Sequence, residues 1–78
     1  MTNHIMLKHE LQKINNKREF EELLDSVTIS TKDKDLMRMK YIEEYDFYFI
    51  ADKLGYSRSG VLKRHSKILK KLSNFLSN

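Results

Sequence analysis

The 78-residue sequence has no cysteine, no proline and only two glycines. Without cysteine it can form neither a disulfide nor a thiolate metal site. Histidine does not fill the gap: His4 and His9 are five residues apart and miss the i, i+4 spacing of a helical metal pair, and His65 lies far along the chain. No metal and no other cofactor is expected. So few helix breakers make an all-α chain the simplest reading. No apolar run approaches the ~20 residues of a membrane span, and no signal-like hydrophobic region follows the start. The expectation is a cytoplasmic protein with no membrane partner. So short a chain is one domain, 1–78. A domain of about 60 residues buries only about 60% of its unfolded surface, so the core must be economical. No repeat, low-complexity segment or linker marks a second domain.

A further absence is local. From residue 57 onward there is no acid, while Arg58, Lys63, Arg64, Lys67, Lys70 and Lys71 supply six positive charges. The segments 1–29 and 30–56 each carry one more acid than base, so the whole net charge of +4 originates at the C-terminal end. An ordinary explanation is a solvated helix face whose last lysines complement the helix dipole. Such a face usually intersperses glutamate for i, i+4 pairing, and none is present. A surface facing a polyanion is the favoured reading.

The chain is organised around residues 46–61. Phe47, Ile50, Ala51 and Leu54 recur at helical spacing, with Asp46 as cap. Gly55 tolerates the left-handed backbone that ends a helix, and Ser57 can cap the next one. This is the pattern of a helix-turn-helix, whose second helix enters the major groove of double-stranded DNA. That helix should run from Arg58 to about Leu76. A 100° step from Val61 places His65, Ile68, Leu72 and Phe75 inward, flanked by Leu69 and Leu76, with Ser59, Lys63, Ser66, Lys67 and Lys70 opposite. Gly60 is discordant, since glycine costs about 1 kcal/mol inside a helix. Close approach of a backbone or phosphate explains it as well as a tolerated weak spot does.

Earlier elements support this unit. Asn3 can cap a first helix to about Asn15 with Leu7, Leu11 and Ile14 on one face, and Asn15-Asn16 suggests a break. A second helix, about Lys17 to Ser26, presents Phe20, Leu23, Leu24 and Val27. One bent helix from 4 to 26 is the alternative. Val27-Thr28-Ile29 reads as an apolar connector. Ser30 with Asp33, or Thr31 with Lys34, caps a third helix from about Lys32 to Glu44, centred on Leu36, Met37, Met39, Lys40 and Tyr41. The fold class is therefore all-α, a bundle of four to five helices: an additional helix in 1–19, supporting helices in 20–45, and the helix-turn-helix in 46–76.

Residues 20 to 76 resemble the C-terminal, promoter-reading domain of bacterial sigma factors and the small phage and mobile-element regulators built on it. Leu36-Met37-Arg38-Met39-Lys40-Tyr41 matches that family's run before the motif. Asp46-Phe47 with Ile50-Ala51 matches the capped first helix, Leu54-Gly55-Tyr56-Ser57-Arg58 the turn, and Val61, Arg64, Lys70, Lys71 and Leu72 the recognition helix. The lysine-rich, alanine-poor composition suits an AT-rich bacterial or phage genome. The resemblance implies that Ser57 caps the recognition helix and that Arg58 reads a base edge, most naturally guanine O6 and N7. It places Ser59 and Lys63 at base-reading positions, where primary sigma factors carry an acid and a glutamine, which argues against the standard promoter element. Arg64, Lys67, Lys70 and Lys71 become candidates for phosphate contact.

Tyr48 and Phe49 also depart from the family, which carries polar residues there. Both lie off the apolar stripe of Phe47, Ile50, Ala51 and Leu54. Either they pack against the N-terminal helix or they form an exposed partner surface. A second function is accordingly a protein-binding module on the same fold, capturing RNA polymerase or inhibiting another host nucleic-acid machine. A homodimer is also compatible. No catalytic residue is expected: Ser66 points away from the inward His65, and Glu43-Glu44 reads as surface charge.

Overall fold

The computed structural model describes residues 16–76 and is all-α, with four helices and no strand among them. They are α1 (Lys17–Asp25), α2 (Thr31–Tyr41), α3 (Phe47–Leu54) and α4 (Arg58–Leu76). The helix expected over residues 3–15, with His4 and His9, lies outside the described residues. No helix among the described residues is long and apolar enough to cross a membrane.

Each helix begins where a short polar side chain answers a free N–H group. Asn16 Oδ1 accepts from the Arg18 amide at 2.9 Å, Ser30 Oγ from Asp33 at 3.1 Å, and Asp46 Oδ1 from Phe49 at 2.9 Å. Ser57 Oγ accepts from Gly60 at 3.0 Å. Four caps at about 1 kcal/mol each are a sizeable contribution in so small a domain.

The sequence predicts a third helix reaching Glu44, but α2 stops at Tyr41. The amides of Ile42 and Glu43 both turn back to the Arg38 carbonyl, and the Tyr45 amide donates to Met39 O at 2.9 Å. Between them Glu44 takes a left-handed backbone at φ 62°, a conformation that costs a residue with a Cβ. A glutamate thus stands where glycine normally ends a helix, which is why the stop is hard to read. At the end of α3 the stop is conventional. Gly55 has φ 76°, and a Cβ there would meet nothing within 4 Å, so its backbone angle alone requires glycine.

The core gathers one face from every helix. Phe20, Leu24, Leu36, Met37, Ile50, Val61, Ile68, Leu69 and Leu72 are essentially fully buried, and Ala51 nearly so. Truncating one of the larger members to alanine costs about 2–5 kcal/mol. Helix α4 packs on both α2 and α3, and α2 on α3, and its buried side runs from Val61 to Ser73. Its last residues, Asn74 to Leu76, are all exposed. Phe75 was expected inward, yet it is 45% exposed, beside an equally exposed Leu76. The helical period is right, but the neighbouring helices no longer cover that far end. His65 lies inside, stacked on Tyr41 with ring centroids 5.8 Å apart and edge-on to Phe47 at 4.9 Å. Its Nε2 lies 2.7 Å from the Tyr41 hydroxyl. Burial pushes the Tyr41 phenol up to about 12.

Candidate nucleic-acid interface

The candidate surface is the outer side of α4 and the turn before it. Ser57 is committed to capping, and its Oγ lies 3.4 Å from that of Ser59. The cap also accounts for Gly60: an added Cβ would come within 3.0 Å of Ser57 Oγ. The close neighbour that Gly60 admits is therefore the chain's own capping hydroxyl.

The six cations divide into two sets. Arg64 leans back across the body, donating from Nε to Asp33 Oδ1 at 3.0 Å and from Nη2 to Oδ2 at 2.6 Å. Asp33 is buried, and this bond pushes the Arg64 guanidinium pKa further upward. Lys71 donates to the Thr28 carbonyl at 2.8 Å, tying α4 to the loop after α1. Both were candidates for phosphate contact, and both already serve the fold. The second set, Arg58, Lys63, Lys67 and Lys70, is exposed and makes no ion pair among the described residues. Lys63, Lys67 and Lys70 form with Ser59 and Ser66 an acid-free polar face opposite Val61, His65, Ile68 and Leu72, and Arg58 stands at the N-terminal tip beside it.

Several acids of the rest of the domain are paired with cations of their own. Glu21 takes a fork from Arg38, with Nε–Oε2 and Nη2–Oε1 both at 2.6 Å, and Asp35 accepts from Arg38 Nη1 at 2.9 Å. The Arg38 guanidinium holds the Glu21 carboxyl below its ordinary value. Asp25 takes Lys34 at 2.7 Å, which lowers its carboxyl likewise. The ordinary explanation for the lysines also weakens. The last turn of α4 contains no basic residue. Lys70 and Lys71 sit further back, where the helix dipole, felt only within the final turn, gives little.

Tyr48 and Phe49 are 62% and 38% exposed, and Phe49 packs on Tyr45 with ring centroids 4.2 Å apart. Any packing against the N-terminal segment lies outside the described residues. One contact had no warning in the sequence: the Arg58 guanidinium carbon lies 4.3 Å over the Tyr48 ring. Separations of ten residues here, 31 for Arg64–Asp33 and 43 for Lys71–Thr28, are set by helix packing and leave no local pattern to read.

No curated protein and no solved structure matches the chain. One family model does, that of a protein of unknown function (DUF1492), and it spans residues 1–73. Covering nearly the whole length, helices and basic face together, that match places the protein in the DUF1492 family.

Proposed function

We propose that this protein is a sequence-specific, double-stranded-DNA-binding transcriptional regulator of the sigma-like kind, presenting α4 to the major groove. The observation that carries the reading is the exposed, acid-free row Lys63, Lys67 and Lys70 on one face of a helix whose other face is core, with Arg58 exposed at the helix tip and none of the four in an ion pair among the described residues. A duplex carries one negative charge per about 1.7 Å of axis, so such a row gains by releasing counterions. Arg58, at the N-terminal tip of α4, has the donor geometry to read guanine. Lys67 and Lys70, further along, suit phosphates. A cytoplasmic location and a phage or mobile-element origin go with this proposal, as does a binding role without catalysis.

The test is a fluorescence-anisotropy titration of duplexes selected from a random pool, repeated between about 50 and 200 mM salt. With two to four phosphates neutralised, log K should fall against log salt with a slope of about −2 to −4. Replacing Lys67 or Lys70 by alanine should remove about one unit of slope each. Absence of binding even at the lowest salt would sink the proposal.

A second reading rests on the exposed Tyr45, Tyr48 and Phe49, an aromatic surface suited to a protein partner such as RNA polymerase. Pull-down of polymerase that survives both Tyr48→Ala and Phe49→Ala would remove this surface from consideration.

A further inference from the structure

We infer that Tyr48 is a specificity-determining residue that acts through Arg58, holding the guanidinium at the mouth of the groove-facing surface before DNA arrives. The inference rests on the DNA-binding reading above. A long, exposed arginine samples many rotamers in water, and fixing it at the moment of binding costs entropy. Here the ring of Tyr48, on α3, lies beneath the Arg58 guanidinium carbon at 4.3 Å, within the range of a cation–π contact. The two residues sit on opposite sides of the turn that joins α3 to α4, so the contact bridges both helices of the motif. Arg58 donates no side-chain hydrogen bond to another described residue. Its donors thus remain available, whereas those of Arg38 and Arg64 are taken by carboxylates.

The contact also gives Tyr48 a reason to be exposed. A ring 62% exposed adds little to the core. As a platform it limits where Arg58 can reach without competing for its N–H groups. An acid would hold the arginine more tightly, but it would occupy those donors and repel the phosphates. An aromatic ring does neither.

The experiment is a double-mutant cycle read as the ratio of affinity for the selected site to affinity for random duplex. Arg58→Ala should lower this preference by about 5–150-fold, the worth of one bidentate base contact. Tyr48→Ala should lower it by about 2–5-fold, the worth of an exposed cation–π contact, and Tyr48→Phe should restore it. In the Arg58→Ala background, Tyr48→Ala should change nothing more. In the free protein, the Arg58 side-chain protons should show an upfield NMR shift from the ring, kept in Tyr48→Phe and lost in Tyr48→Ala. Full preference in Tyr48→Ala overturns the inference and leaves the DNA-binding proposal standing. A loss that persists without Arg58 overturns it too, because Tyr48 would then touch DNA directly. A wild-type protein that binds no duplex ends both.

Discussion

Breaking the Asp33–Arg64 pair should cost very different amounts depending on which partner is removed. The pair consists of two charge-assisted hydrogen bonds, at 3.0 and 2.6 Å, and its two ends differ in environment. The Asp33 side chain is 4% exposed and that of Arg64 38%. Arg64→Ala leaves a carboxylate inside the domain without its cation, a loss of about 2–3 kcal/mol. Asp33→Ala leaves a guanidinium that can swing into water, so solvent screening reduces the loss to about 1 kcal/mol, including the favourable charge at the start of α2. The double variant should be more stable than Arg64→Ala alone, because the stranded carboxylate has gone. For a domain of this size 1 kcal/mol corresponds to about 4–8 °C, so Arg64→Ala should melt about 10–20 °C lower. Urea denaturation followed by circular dichroism measures all three, with Lys67→Ala as an exposed control. Equal costs for the two single variants, or an Arg64→Ala no worse than Lys67→Ala, would refute the reasoning.

Replacing Glu44, with its φ of 62°, by glycine should raise stability by about 1 kcal/mol, and a melting temperature that stays put or falls would count against strain at that position. Acid should destabilise the fold through Glu21. Its folded pKa lies below the ordinary 4.5, so the unfolded chain takes up the proton first. That contribution is complete above the ordinary value and drains as pH falls through the lowered one. Arg38→Ala should flatten this part of the pH–stability curve, and an unchanged curve would contradict the assignment. At the alkaline end the sign reverses. Tyr41 titrates at about 12 when folded against an ordinary 10.0, so its contribution is present below 10.0 and lost as pH rises through about 12. Tyr41→Phe should abolish that alkaline loss while costing about 1 kcal/mol at neutral pH, where His65 loses its 2.7 Å partner. An alkaline limb that persists in the variant would assign it to another group.

The sequence alone determined where the described helices begin and the sidedness of the long helix from Val61 to Leu72. Caps at Asn16, Ser30, Asp46 and Ser57 and the turn at Gly55 are local: a side chain satisfies an amide two or three residues away, and a backbone angle suits only glycine. The inward face of α4 from Val61 to Leu72 followed from a 3.6-residue period, and its acid-free outer face from composition. Tertiary structure decided what each of those charges does. Six cations look alike in the sequence, yet packing turns Arg64 toward Asp33 and Lys71 toward Thr28 and lays Arg58 over Tyr48. Only Lys63, Lys67 and Lys70 among the six are left without such a contact among the described residues. It also decided where coverage ends, exposing Phe75 on the right face of the right helix. The physical reason is range. Hydrogen bonds within a turn are encoded a few residues apart, whereas the partner of a long charged side chain is fixed by how helices distant in sequence come to lie against one another.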